Sequence, residues 1–372
     1  MFPFQIVQAH ELPKLAARLE RWPALVLDVE ATGVAPYLGD ELRGIGVGAV
    51  GGDVEEYFYA PTEGIAPEIL GPLVRLLERK PLLGHNIKYD LHMLAQALGW
   101  AGGQERFFDL IVMARLYERG DHPDLSLEGL TQQHLGYSYA TDAAKRLGTG
   151  KDVTLAEIAL KCVHDLRATR HLYYFFKEKL SSELLHLFAE QCRVSRDLWD
   201  IERRGELIDA EYLGRMETLL TERVDASLVH IRELANAEKF NPNSPPHVAA
   251  LMARLGIEPV KRSQKTAKPS WDKGAMLEVR GRHPAALAIA KHRAMVHLAA
   301  NVPAYCRATL RAGETALHGT LKNWGTGTGR AASSDPNRQN DPHGWLQAGA
   351  EAEGDEVLSW AVGPEQELSV ER

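Results

Sequence analysis

Three short apolar runs follow one another near the N-terminus, and they constrain the fold more than any other feature of the sequence. They are Ala24–Val29, Gly44–Val50 and Glu55–Tyr59, each bounded by glycine, proline or acidic residues. Runs of this length and composition predict β-strands, and their close succession predicts an antiparallel meander.

Helical patterns follow the three predicted strands. They cover residues 67–79, 86–98 and 155–180. Thr154 and Glu157 have the S/T-x-x-E spacing of a capping box, which predicts the start of the third helix. Strands followed by helices predict an α/β or α+β domain with a mixed sheet, and we assign it to the α/β class.

The second half of the chain has a different character. Beyond about residue 184 the pattern is that of long charged amphipathic helices, with no strand pattern before about Ala316. After Asn340 the sequence becomes acidic and rich in glycine and alanine. A length of 372 residues allows about two domains. We predict an α/β domain over 1–187, a mainly helical segment over 188–345, and a degenerate or disordered tail over 346–372.

The composition is that of an ordinary globular protein, with 45% hydrophobic and 25% charged residues. No run of about 18 apolar residues is present, so the sequence predicts no membrane span. The N-terminus lacks a cationic stretch followed by an apolar core, so we predict no export signal. The cysteines Cys162, Cys192 and Cys306 form no CxxC pair, which favours a cytoplasmic location and argues against a zinc site.

The net charge of −7 is distributed unevenly along the chain. Residues 1–189 carry −6, residues 190–345 carry +5, and the tail carries −6. The middle segment therefore has the charge that phosphate binding requires. Acidic residues in the first segment are expected if some of its carboxylates hold cations.

A D-x-E pattern ends the first predicted strand. Because side chains alternate along a strand, Asp28 and Glu30 should point to one face while Val29 points to the other. Two adjacent carboxylates repel each other unless a cation lies between them. A solvated strand end is the alternative interpretation, since D-x-E alone is common.

Two further carboxylates lie on predicted helices. Asp90 ends the segment GHNIKYD, four residues after Asn86, so the two side chains can share a helix face. An asparagine cap followed by an incidental helical aspartate is the alternative interpretation. Asp165 lies among apolar residues in the middle of the third helix, where a carboxylate needs a partner. Asp109 is a further candidate, with a structural capping role as the alternative.

In this order, D-x-E, GHNxxxD and a helical Asp resemble the proofreading exonuclease domain of the DNA polymerase I family, part of the DEDD exonuclease superfamily. The resemblance covers roughly residues 5–185. It implies an RNase H-like fold and two divalent ions, Mg²⁺ or Mn²⁺, which hydrolyse phosphodiesters. The implied metal ligands are Asp28, Glu30, Asp90 and Asp165. It also places His85 and Asn86 in the groove that holds the terminal nucleotides, and Asp109 near the active site.

One position departs from the family pattern. The family has a tyrosine four residues before the last Asp, where this chain has Lys161. A variant of the superfamily has a histidine five residues before that Asp, and this chain has Leu160 there instead. Lys161 and Asp165 share a helix face at i, i+4. Lys161 is therefore a candidate for contacting the water or a phosphate, with a plain ion pair to Asp165 as the alternative.

The second half resembles the thumb and first palm motif of family A DNA polymerases. The matching segments are Ile201–Leu213, Phe240–Pro245 and, as the most specific, Gly325–Asn340 (GTGTGRAASSDPNRQN). In the family the last segment contacts the primer–template backbone. The resemblance assigns that role to Arg330, Ser334, Asn337 and Gln339. Glycine allows close approach, and arginine suits phosphate contacts; a polar glycine-rich loop is the alternative.

These features together predict a 3′–5′ exonuclease that hydrolyses DNA and is fused to a DNA-binding thumb. Polymerase activity is not expected, since the metal-binding aspartate of the first catalytic palm motif would fall on Val362. The alternative is a non-catalytic remnant or accessory protein that binds primer–template DNA. A separate polymerase or replication protein is a candidate partner.

Overall fold

A computed structural model describes most of the chain. The described residues are 4–100, 102, 107–118, 124–138, 153–263, 267–323, 325 and 330–335. The described residues divide into two compact units, one formed by those within 4–206 and 318–335 and the other by those within 207–317. The helix that follows residue 181 therefore packs with the first unit, a point that amphipathic periodicity alone does not decide.

A six-stranded mixed sheet forms the centre of the first unit, within the part of the chain that is described. Its strands are β1 (Phe4–Ile6), β2 (Ala24–Ala31), β3 (Leu42–Val50), β4 (Tyr57–Pro61), β5 (Leu82–Gly84) and β6 (Phe107–Asp109), in the order β1-β4-β3-β2-β5-β6. Strands β2, β3 and β4 are antiparallel neighbours, which confirms the predicted meander. Strands β1, β5 and β6 pair in parallel with β4, β2 and β5.

Helices cover both faces of this sheet. They are α1 (Leu12–Leu19), α2 (Gly71–Arg79), α3 (Ile87–Leu98), α4 (Leu110–Glu118), α5 (Leu127–Leu135), α6 (Leu155–Lys179) and α7 (Ser182–Arg204), with short 3-10 turns at Ala9–Glu11, Pro36–Leu38 and Pro67–Leu70. Apolar residues of α1, α2 and α3 pack on one face, and those of α6 pack on the other. The capping box of α6 is formed, since Thr154 Oγ1 accepts from the Glu157 amide and Glu157 accepts from the Thr154 amide.

Three glycines of β3 leave room on the face of the sheet that α6 covers, and α6 itself uses this room at Gly46. Gly44, Gly46 and Gly48 alternate along the strand and lie opposite Glu30, Asp28 and Val26 of β2, on the face that α6 covers. A β-carbon at Gly46 would overlap the Cys162 sulfur of α6. We call these three positions the glycine face. At Gly46 the Cys162 side chain of α6 therefore rests almost on the strand backbone, close to Asp28.

The second unit is mainly helical, as predicted. Its helices are α8 (Ala210–Ala235), α9 (Pro245–Arg254), α10 (Lys273–Val279) and α11 (Pro284–Arg311), with short strands β7 (Glu206–Leu207) and β8 (Ala316–Leu317) at its ends. Helix α11 packs along α8, and a buried cluster that includes Phe240, Trp271 and Ile289 joins the helices. In the first unit, β9 (Thr320–Lys322) and β10 (Ala332–Ser334) form an antiparallel pair. No helix among the described residues has the length and apolarity needed to cross a bilayer.

Candidate active site

Asp28 and Glu30 lie at the carboxyl end of β2, on the face covered by α6. Glu30 is buried, and Asp28 is half-buried. The Oδ2 atom of Asp28 is enclosed and has no hydrogen-bond partner among the described residues. A buried carboxylate oxygen without a donor is costly, so this atom is suited to a cation that the protein itself does not supply.

Asp90 reaches the same edge of the sheet from α3. Strands β2 and β5 are parallel, so the turn that follows β5 and begins α3 lies beside the end of β2. The Asp90 Oδ1 atom accepts a hydrogen bond of 2.9 Å from the Val29 amide, between Asp28 and Glu30. The expectation that Asn86 and Asp90 share a helix face is wrong. Asn86 precedes the helix with a left-handed backbone (φ 58°) and is exposed, whereas Asp90 is buried.

Lys161 joins α6 to the sheet. Its ammonium Nζ lies 2.9 Å from Asp165 Oδ2, one helical turn later, and 2.8 Å from Glu30 Oε1. The sequence left two interpretations for Lys161, and the structure records the ion pair with Asp165. It adds Glu30 as a partner, which periodicity within α6 did not indicate.

The pKa values follow from this crowding. Burial raises the pKa of Asp28 well above its ordinary value, and the carboxylates of Asp165 and Asp90 raise it further. Burial also raises the pKa of Glu30, although the Lys161 ammonium opposes the shift. Burial alone would lower the pKa of Lys161, but Asp165 and Glu30 outweigh that effect and raise it. Lys161 is thus an ammonium in a region with excess negative charge, which a further cation would relieve.

The donor atoms fit a hard divalent ion. Ligand atoms of Asp28, Glu30 and Cys162 lie within 4.8 Å of one another. Carboxylate oxygens suit Mg²⁺ and Mn²⁺, whereas thiols do not. Burial raises the pKa of Cys162, and its neutral thiol donates to the Asp28 carbonyl at 3.7 Å. Cys162 therefore packs against the sheet rather than serving as a ligand; no motif in the sequence marks it as a residue of the site, and the one related feature is Gly46, which leaves room for its sulfur.

Asp109 has the structural role that the sequence left open. It ends β6, is buried, and its Oδ1 atom accepts from the amides of Ile111 at 3.1 Å and Asn86 at 2.8 Å. The first bond caps α4, and the second ties the turn that precedes α3 to the neighbouring strand. Asp109 thereby helps to hold α3, which carries Asp90.

The predicted DNA contacts differ in exposure. His85 is half-buried, and its Nε2 atom is hydrogen-bonded to the Leu125 carbonyl at 2.8 Å. Asn86 and Arg330 are exposed, whereas the Ser334 Oγ atom is buried without a hydrogen-bond partner in the described part of the chain. Asn337 and Gln339 lie outside the described residues, as does the acidic tail. Contact with DNA stays a prediction for all of them.

A buried ionic cluster that the sequence did not indicate lies behind α3. Glu202 of α7 is 4% exposed and pairs with Lys88 through one carboxylate oxygen and, at 2.8 Å, with His92 through the other. The Leu321 amide also donates to Glu202, and its carbonyl accepts from Lys88. Tyr37 hydrogen-bonds His92 and stacks on His318. We call these residues the Glu202 cluster; it connects α3 to α7 and to β9, all within the first unit.

Comparison with known protein families and structures agrees with this geometry. Residues 4–181 match a family described as 3′-5′ exonuclease, and residues 210–361 match DNA polymerase family A. The thermostable DNA polymerase I of Thermus filiformis is 30% identical over 286 residues, which cover 76% of this chain and 31% of that protein. The DNA polymerase I of Chloroflexus aurantiacus is 26% identical over 360 residues, covering 91% of this chain and 37% of that protein.

A similar solved structure is the polymerase domain of Pol1 from M. smegmatis, in complex with DNA primer-template and dNTP. It aligns with a TM-score of 0.72 at 19% identity, over 91% of this chain and 56% of that chain. The chain spans about a third of the length of the two curated relatives. Residues 4–181 therefore belong to the 3′–5′ exonuclease family, with its RNase H-like fold, and residues 210–361 to DNA polymerase family A, so the chain joins an exonuclease domain to a segment of a family A polymerase domain.

Proposed function

We propose that this protein is an active 3′–5′ exonuclease that hydrolyses DNA with divalent metal ions, Mg²⁺ or Mn²⁺. The ions would be held by Asp28, Glu30, Asp90 and Asp165, two ions being the arrangement that the family resemblance implies. The observation that carries the proposal is the buried, unpartnered Oδ2 atom of Asp28, with Glu30 beside it on β2 and with Asp90 and Asp165 brought to it by α3 and α6.

Each side chain has a definable part in this chemistry. When bound, the ions lower the pKa of the attacking water and stabilise the charge on the leaving 3′ oxygen. The Val29 amide fixes the Asp90 carboxylate, and Lys161 holds Glu30 and Asp165 in one orientation. Asn86 is exposed at the start of α3, where it would line the groove for the last nucleotides.

Metal-dependent release of mononucleotides from DNA tests this proposal. With a label on the 3′-terminal nucleotide, we expect labelled mononucleotide as the first product with Mg²⁺ or Mn²⁺, and no product with EDTA. A 5′-labelled strand is the control, and it should shorten one nucleotide at a time. Absence of metal-dependent release, or release of the 5′ label first, would contradict the assignment.

A second candidate function is primer–template binding without hydrolysis. Lys161 favours it, because its ammonium already occupies oxygens of Glu30 and Asp165 that would otherwise bind metal. Residues 190–345, which carry a net charge of +5, and the exposed Arg330 would then provide the DNA contacts. Failure of the release assay together with tight, salt-sensitive binding would favour this candidate.

Arg330→Ala tests the DNA contact in either case. We expect primer–template affinity to fall about tenfold and the slope of log K against log salt to decrease by about one, because one phosphate contact is lost. Hydrolysis of a short single strand at saturating concentration should hardly change. Arg75→Ala on α2 is a matched control, since Arg75 is also exposed. Unchanged affinity and salt slope in the Arg330 variant would remove Arg330 from the interface.

The proposed substrate is the 3′ end of DNA, as a single strand or a primer–template, and a separate polymerase or replication protein is the proposed protein partner. We place the activity in the cytoplasm. Cys162, Cys192 and Cys306 are buried free thiols, which suits a reducing compartment.

A further inference from the structure

Lys161 lies where a metal ion would bridge two carboxylates. Its ammonium is within 2.9 Å of both Glu30 and Asp165, which come from different elements. The side chains of Glu30 and Asp165 are only 7% and 14% exposed. The Lys161 contacts differ from a solvated i, i+4 ion pair, which contributes little to stability and joins no element other than its own helix.

In the described part of the chain, no second cationic side chain is seen to pair with both Glu30 and Asp165. Arg43, whose charge also acts on Glu30, hydrogen-bonds Glu63 instead. A divalent ion binds carboxylate oxygens at about 2.1 Å if it is Mg²⁺. An ion between the same two oxygens would therefore lie almost on the Lys161 nitrogen, and the two positive charges exclude each other. Asp28 differs from this pair, since its buried Oδ2 atom has no partner in the described residues.

We propose that the Lys161 ammonium is a built-in cation that takes the place of one divalent ion. The protein then binds a single ion at Asp28, where the family resemblance implies two. This inference rests on the proposed function, because it concerns the metal requirement of the same site. It assigns Lys161 as a positioning residue that holds Glu30 and Asp165.

The stoichiometry of Mn²⁺ binding to the full chain tests this inference without any nuclease assay. Titration followed by the electron paramagnetic resonance signal of free Mn²⁺ should give one bound ion for the wild-type protein. Lys161→Met removes the charge at similar side-chain volume, so a second Mn²⁺ ion should bind. The overall affinity of the protein for Mn²⁺ should rise by about tenfold or more. Lys161→Arg retains the charge and should still bind one ion. Lys177→Met, an exposed lysine on the same helix, controls for weak surface binding.

Two bound ions in the wild-type protein would overturn the inference, and this result needs no variant, so it stands even if Lys161→Met does not fold. An unchanged stoichiometry in folded Lys161→Met would overturn it as well. The inference and the proposed function fail separately. One ion in the wild-type protein and two in Lys161→Met, without DNA degradation by either, would leave the inference standing and refute the nuclease. Degradation of DNA by a wild-type protein that binds two ions would refute the inference and leave the proposed nuclease standing.

Discussion

Asp28→Asn is expected to lower the rate of 3′-end degradation by at least about 100-fold. Loss of an outer partner of a metal ligand already costs about 10–100-fold, so loss of the ligand itself should cost at least as much. The amide has the shape of the carboxylate but lacks its charge. The measurement is mononucleotide release at saturating DNA and Mg²⁺.

The same substitution should raise the stability of the metal-free protein at neutral pH. The pKa of Asp28 is raised in the folded state, so the folded protein binds the proton more tightly than the unfolded chain does. Its ionisation therefore destabilises the fold at pH values above the folded pKa, and this loss is recovered as pH falls through that pKa. In EDTA, thermal unfolding of the wild-type protein should show this gain on acidification, and Asp28→Asn should lack it.

Asp53→Asn is the control, because Asp53 is exposed in the turn between β3 and β4. It should change neither DNA degradation nor the pH dependence of unfolding. Wild-type-like degradation by Asp28→Asn would exclude Asp28 from the site. A lower unfolding temperature for Asp28→Asn than for the wild-type protein, in EDTA at neutral pH, would contradict the prediction that the ionised Asp28 carboxylate destabilises the fold.

Glu202→Ala should lower the free energy of unfolding of the first unit by about 3–5 kcal/mol, the usual cost of breaking a buried ion pair from one side. The substitution leaves the buried Lys88 ammonium without its carboxylate and removes the acceptor of the Leu321 amide. Urea titration followed by tryptophan fluorescence is a suitable measurement, since Trp199 lies one turn before Glu202 and is buried.

The matched control is a double variant, Lys88→Met with Glu202→Met. Replacement of both charges by apolar side chains of similar volume is often nearly neutral, because no unpaired charge stays behind. The double variant should therefore be more stable than Glu202→Ala, although it leaves His92 and the Leu321 backbone with fewer partners. Equal losses in the two variants would mean that the unpaired Lys88 charge is not what destabilises Glu202→Ala.

The strands with strong local patterns were predictable from the sequence. The alternation in β2 and the glycine-bounded runs of β3 and β4 gave the meander, and the Thr154 capping box gave the start of α6. Strands β5 and β6 have three residues each, too few for a periodic signal, and they form because the longer strand β2 and the helices around them provide partners.

The candidate site was predictable as a set of residue types but not as a set of contacts. Resemblance identified Asp28, Glu30, Asp90 and Asp165, and their roles as metal ligands stay predictions. Helix periodicity related Lys161 to Asp165 but could not relate either to Glu30, which lies more than a hundred residues earlier in the chain. The Glu202 cluster is equally non-local, since its members come from α3, α7, β9, the turn at Pro36–Leu38 and the residue His318, and no local pattern marks them.

The glycine face of β3 has a consequence for how the site keeps its dimensions. At Gly46 the Cys162 side chain of α6 rests against strand backbone, which has no rotamers, so at this position the closest approach of the helix to the sheet is set by atomic radii. Gly46, a residue without a side chain, therefore helps to fix the gap between α6 and β2 that Lys161 bridges.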